Sequence, residues 1–367
     1  MTDAHASPSV GPAEALVKAG RIGGLDLARA VAFIGMAAAH IGDDGARGTG
    51  DGWTWLWVSH GLPSALFAVL AGVSMGIMDA RAPSVLHTRV RVVVRAGILI
   101  AAGAILTALE TPVYVILANL GLMMLLALVA LRSRTVWLWA GAAATLVGGA
   151  LLLPVVQDWA TASGADSWPV LDRIWWHHYP ALAWAGYLLL GLAISRLDLR
   201  AGASRVMLVA GGASVAGAGT MLGLAYGATP PWPTAMFGWA PAWASLTPHS
   251  NSALEMVVTA GAACAVLGAA LWLSDLSGRW LQPLRDLGAM AFTAYVAHVL
   301  VIAIAGNDIV HEPSNVALVS LVVSFTVLAW GYRRWRPQGP LEELMSRAST
   351  SAADAVVARG GTRARSA

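Results

Sequence analysis

Residues 21–40, RIGGLDLARAVAFIGMAAAH, place Asp26, Arg29 and His40 in a stretch otherwise apolar enough to cross a bilayer. On an α-helix turning about 100° per residue, His40 returns to within roughly 20° of the Arg29 face about 16 Å further along, and Asp26 lies one turn below Arg29, about 60° away. One face of one helix thus carries a carboxylate, a guanidinium and an imidazole in a line. Such groups are costly in hydrocarbon, so by default they face a protein interior or a watery cavity and mark a functional site. The plainer alternative is an Asp26–Arg29 pair that anchors the helix at the interface, with His40 already in water.

The other 347 positions bear out a membrane setting. The chain of 367 residues is 57% hydrophobic and 12% charged, with mean hydropathy +0.65, where an ordinary soluble domain carries about twice that charge. The sequence pI near 9.3 comes from arginines placed between apolar segments, not from a basic run interleaved with aromatics, so no nucleic-acid partner is implied. The single cysteine, Cys264, lies in an apolar run and leaves no internal disulfide and no cysteine-based metal site. Residues 1–20 lack the order of charge, apolar core and cleavage site of a signal peptide, so the first apolar helix is expected to be retained.

Apolar windows near 20 residues long fall at about 25–42, 55–78, 89–109, 112–131, 136–156, 178–195, 204–225, 252–274, 285–305 and 314–332, which predicts ten spans in an all-α polytopic bundle. Arg81, Arg89, Arg91 and Arg95, then Arg132 and Arg134, then Arg196, Arg200 and Arg205, then Arg279 and Arg285 occupy alternate connections, while the opposite connections hold only Arg47 and Arg173. The positive-inside rule then puts both termini in the cytoplasm. The outer side is acidic and rich in tryptophan, and His40, His60, His177, His178, His249, His298 and His311 fall at or near it. Most of those tryptophans read as an interfacial belt, with some left as stacking surfaces for a sugar. The Gly72 to Gly76 pair and the glycine- and alanine-rich seventh span read as packing surfaces. The proline-rich stretch 226–251 reads as an outer loop or lid. The resulting plan is a tail at 1–20, one transmembrane domain at 21–347 with halves at about 21–200 and 201–347, and a disordered tail at 348–367.

The opening GLDLARAVAFIGMAAAH (24–40) resembles the first helix of transmembrane acyltransferases of the heparan-alpha-glucosaminide N-acetyltransferase type, and more distantly that of the acyltransferase-3 family. HYPALAWAGYLLLGLAISRLDL (178–199), TPHSNSALEMVVTAGAACAVLG (247–268), LGAMAFTAYVAHVL (287–300) and GPLEELMSR (339–347) resemble successive segments of bacterial YeiB-like membrane proteins, actinobacterial in look, with their C-terminal domain of unknown function. The resemblance implies an enzyme of the bacterial plasma membrane. It would take an acetyl or similar group from cytoplasmic acetyl-CoA or another acyl-CoA and give it to an extracytoplasmic sugar or glycolipid amine or hydroxyl. It also implies a catalytic histidine around the first two spans. His40 matches the acyltransferase-3 position, and His60, in WLWVSHGLPSALFAVLAGVSM (55–75), lies nearer the position of the heparan-type enzymes.

Acyl transfer needs a base for the acceptor proton, and histidine suits that role near neutral pH. His40 and His60 are therefore the catalytic candidates, brought together if the first two spans form a hairpin. His178, Trp184, His249, Glu255 and His298 are secondary candidates for the acceptor side. At the other end, Arg29 with Asp26, and Arg89, Arg91 and Arg95, are candidates for the donor's phosphates, Arg91 and Arg95 standing one helical turn apart; lipid phosphates are the competing partners for the last three. No metal-ligand spacing appears among the histidines. The partners implied are the bilayer, the acyl-CoA and the glycan acceptor, with a homodimer allowed. A transporter or exporter using the same polar line is the alternative; the sequence shows no internal repeat with matched broken helices that would favour it.

Overall fold

The computed structural model describes residues 20–45, 52–168, 178–228 and 241–366, and these are helical with connecting turns and no strand among them. Most of the N-terminal tail, Arg47, Arg173, His177 and residues 229–240 of the 226–251 connection lie outside the described residues. The helices are α1 (Gly23–Ile41), α2 (Leu62–Ala80), α3 (Val85–Thr107), α4 (Leu117–Ala130), α5 (Thr135–Ser163), α6 (Ala181–Ile194), α7 (Gly202–Ala225), α8 (Ala253–Leu276), α9 (Gln282–Ala289), α10 (Ala291–Ala305), α11 (Asp308–His311), α12 (Asn315–Arg333) and α13 (Pro340–Ser366). Seven of them are long and apolar enough to cross a membrane, and α9 with α10 makes an eighth if that bent pair counts as one span.

The ten apolar windows all fall on helices, yet two of them are short. Helices α4 and α6 have 14 residues each, which at 1.5 Å per residue reach about 21 Å, less than a hydrocarbon core of about 30 Å. Helix α6 is enclosed by protein rather than lipid: Trp184, Tyr187, Leu188 and Leu192 are all buried. Its packing on α2 uses missing side chains. A Cβ on Gly72 would lie 2.1 Å from the Leu188 carbonyl oxygen, and one on Gly191 would lie 2.0 Å from that of Val69, so only glycine permits this crossing.

The ninth window is not one straight helix. Helices α9 and α10 meet at Met290 with a bend of 79°. The break exposes the first N–H groups of α10, and the Glu342 carboxylate of α13 takes them, accepting from Phe292 N at 2.8 Å, Thr293 N at 3.0 Å and Thr293 Oγ1 at 2.5 Å. Uninterrupted hydrophobicity from 287 to 305 hides this kink, because its cap comes from a residue some 50 positions away.

Helix α13 also overturns the reading of 348–367 as disordered, since it runs unbroken to Ser366. Its Ser349 and Ala353 are fully buried, Arg95 of α3 donates to Ser349 Oγ at 3.2 Å, and Asp354 meets His87 at 3.1 Å. The polar composition reflects a helix packed on α3 by one face. Helix α1 lies at the centre, against α2, α8 and α9, and its start shares a cavity with Gln338, Glu342 and Ser346, where α13 begins.

Candidate active site

Helix α1 joins two polar centres. At its start, Asp26 is 3% exposed, and a lone buried carboxylate there would be strongly unfavourable. Two guanidiniums neutralise it: Arg21 donates through Nε at 2.5 Å and Arg29 through Nη1 at 2.8 Å. The other terminal nitrogen of Arg29 donates to Ser74 Oγ on α2 at 2.8 Å, and Ser74 passes its own hydrogen to the Leu70 carbonyl. Gly288 of α9 presses on this turn so closely that a Cβ there would lie 1.7 Å from the Asp26 carbonyl oxygen.

Around that pair are two adjoining cavities of about 330 and 250 Å³ that share Arg21, Arg29, Ser74 and Arg95. Arg81 and Arg91 line the first, and Gln338, Glu342 and Ser346 the second. Five arginines thus face a space with two carboxylates, Asp26, shared by Arg21 and Arg29, and Glu342, which caps α10. Such a surplus of forked donors suits phosphate oxygens. Arg91 and Arg95 stand together here as their spacing predicts. Arg89 does not: it is exposed and lines neither cavity, because two residues of helix turn it about 200° from Arg91.

Eleven residues along α1 from Arg29, His40 reaches the second centre, a cavity of about 330 Å³ also lined by His60, Ser64, Tyr114, His178, Tyr179 and His249. The hairpin of α1 and α2 does bring the two catalytic candidates to one space, and each has a partner of its own. His60 Nε2 lies 2.8 Å from Asp44 Oδ2, with the Asp44 side chain 7% exposed and that of His60 28%. His40 Nδ1 lies 3.1 Å from His298 Nε2 of α10, the rings stacked at 5.3 Å and 8°. One nitrogen of that pair must carry the hydrogen and the other accept it, so at least one ring is neutral.

Asp44 was not among the sequence candidates, and neither was the residue that places it. Asn315, at the start of α12, clasps the Asp43 backbone, its Oδ1 accepting from Asp43 N at 3.0 Å and its Nδ2 donating to Asp43 O at 2.8 Å. Ser314 N adds a bond to Ile41 O at 2.9 Å. Sequence could offer only a weak signal for this: two adjacent aspartates directly after a histidine-ended helix.

Of the five secondary candidates, His178 and His249 line this second cavity, and the other three do not. His298 contacts His40, the cavity residue, and stands edge-on to Phe33 and Tyr295. Trp184 spends its indole N–H on Asn251 Oδ1 at 2.7 Å. Glu255 is 5% exposed and accepts from the backbones of His249 and Asn251. Burial pushes the His249 imidazole down to about 4, with His178 and His60 nearby acting in the same direction. No group of three or more metal-ligating side chains occurs among the described residues. A further cavity of about 710 Å³ between α10 and α12 is lined mainly by apolar side chains and offers no titratable group except Tyr332.

The family described as heparan-alpha-glucosaminide N-acetyltransferase, catalytic, matches residues 21–224. A family described as a protein of unknown function, DUF418, matches residues 212–352. No curated protein matches the chain.

Proposed function

The chain belongs to the family of heparan-alpha-glucosaminide N-acetyltransferase catalytic domains, and from that premise we propose that it transfers an acetyl or other short acyl group from cytoplasmic acyl-CoA to a sugar or glycolipid hydroxyl or amine on the outer side. The observation that carries this reading is the pair of centres on α1: a cavity walled by arginines at one end and a cavity walled by histidines at the other. An anionic nucleotide donor fits the first, and proton transfer fits the second. The clustering of arginines at the first centre, where α1 and α13 begin, supports placing that face, with both termini, in the cytoplasm of a bacterial plasma membrane.

In this reading Arg29, Arg91 and Arg95 hold donor phosphates, with Asp26 fixing the Arg29 fork. At the outer cavity His60 takes the acceptor proton as the acceptor attacks the thioester carbonyl, and the Asp44 carboxylate stabilises the imidazolium that forms. With His298 donating to Nδ1 of His40, His40 carries its hydrogen on Nε2 and polarises the thioester carbonyl. The new bond joins the acceptor oxygen or nitrogen to the acyl carbon. The carbon–sulfur bond breaks, and the proton on His60 passes to the leaving thiolate.

The test is incubation of the purified protein with acetyl-CoA, reading its thermal midpoint and the release of free thiol in the presence of glucosamine. Stabilisation by acetyl-CoA together with glucosamine-dependent thiol release is the expected result. An exporter of small molecules would respond to neither, and that outcome would remove the acyltransferase reading.

A further inference from the structure

The segment that leads into α8 carries two of the three non-glycine residues with positive φ among the described residues. His249 and Asn251 both adopt left-handed conformations, with φ of 59° and 53°. Such angles are uncommon away from glycine and mark sites where the surroundings dictate the geometry. Here the surroundings are a single buried carboxylate. Ser252 caps α8 by accepting from Glu255 N at 2.9 Å, half of the reciprocal arrangement that an S-x-x-E start encodes. The Glu255 side chain does not return to Ser252. It reaches further back and accepts from Asn251 N at 3.0 Å and His249 N at 3.3 Å. Asn251 closes the loop by donating to His249 O at 3.2 Å and accepting from Trp184.

This clamp is built against the catalytic turn. A Cβ on Gly61, the residue after His60, would lie 3.5 Å from Glu255 Oε1 and 4.0 Å from Pro248 Cβ. Gly61 itself has φ of 86°, a conformation that favours glycine on the His60 side of this meeting. The product of the arrangement is one imidazole on the cavity wall facing the same space as His60, with its Nδ1 buried and given no hydrogen bond by the protein. Among the buried side-chain nitrogens and oxygens of residues 241–252, that atom alone is without a hydrogen bond.

We propose that His249 receives the acceptor, its imidazole taking a hydrogen bond from the hydroxyl or amine group of the incoming sugar and turning it toward His60, while Glu255 is the positioning residue that holds the ring in place. Burial keeps the ring uncharged at neutral pH, so it has a lone pair to offer and does not compete with His60 for the transferred proton. The cavity of about 330 Å³ is at the small end of ligand sites, which suits one terminal sugar residue rather than an oligosaccharide. His249, Glu255 and His298 all lie in the segment matched to a family of unknown function, whose role here is then to complete the acceptor side of the catalytic cavity. This inference rests on the acyltransferase reading above.

The experiment measures acetyl transfer from acetyl-CoA to glucosamine by wild type, His249→Asn and Glu255→Gln, alongside stabilisation by acetyl-CoA. Asparagine tolerates the left-handed backbone but withdraws the ring nitrogen, and glutamine turns an N–H₂ group toward a backbone N–H. Each variant should raise the glucosamine KM roughly fivefold to tenfold, the scale of one lost hydrogen bond, with the acetyl-CoA response unchanged. An unaltered glucosamine KM in both variants would overturn the proposal while leaving the transferase standing. Loss of the acetyl-CoA response together with the KM effect would reduce His249 to a structural residue and overturn it as well. If wild type neither transfers to glucosamine nor is stabilised by acetyl-CoA, both readings fall together.

Discussion

Replacing Asp44 by asparagine is the most informative single change at the outer centre. The substitution keeps the shape of the side chain and removes its charge, leaving His60 a neutral partner at the same 2.8 Å. Asp44 has a side chain only 7% exposed, so water cannot take over its role. A hydrogen bond to a charged group contributes about 1.5 to 3 kcal/mol, against about 1 for a neutral one. If that bond is realised mainly as the imidazolium forms, exchanging it for the neutral one slows kcat by roughly twofold to thirtyfold while the acetyl-CoA KM stays constant. His60→Ala removes the base itself and should cost about a hundredfold or more. The double variant should then be little slower than His60→Ala alone, because Asp44 acts only through His60. The assay is steady-state thiol release with each substrate varied in turn while the other is saturating. Full activity in Asp44→Asn, or losses that multiply in the double variant, would refute the dyad.

At the inner centre, Arg29→Ala should abolish the stabilisation by acetyl-CoA and Arg29→Lys should restore little of it, since an ammonium cannot serve Asp26 and Ser74 as a planar fork does. Arg89→Ala should leave acetyl-CoA affinity at the wild-type value, whereas Arg91→Ala with Arg95→Ala should weaken it at least about tenfold; equal effects would place the donor elsewhere. Glu342→Ala should lower unfolding stability by roughly 1 to 2 kcal/mol, the scale of a lost helix cap, seen as a lower thermal midpoint. His249 is held neutral when folded, so between pH 6.5 and about 4 the unfolded chain takes up a proton that the folded protein refuses. Folding stability should therefore fall as pH drops through that window, and His249→Asn should flatten the fall.

The bundle and both centres were legible in sequence wherever the signal was local. Apolar windows located the helices, the i, i+11 spacing put Arg29 and His40 on one helix, and S-x-x-E marked the start of α8. What sequence concealed were partnerships across long separations: His40 with His298, the Asp43 backbone with Asn315, the N-terminus of α10 with Glu342. None of these leaves a periodic trace, because a single side chain at the right place is enough. Trp184 and Glu255 show the converse. Their chemical type suggested contact with an acceptor, and burial has turned both inward to hold the loop that carries His249.

The account's central claim is transfer across the membrane, and reconstituted vesicles test it most directly. With labelled acetyl-CoA added outside vesicles that contain glucosamine, copies of the protein whose arginine face points outward should acetylate the enclosed glucosamine and release CoA thiol outside, in equal amounts. Label that appears on glucosamine only when both substrates share one side, or thiol release without enclosed product, would contradict it.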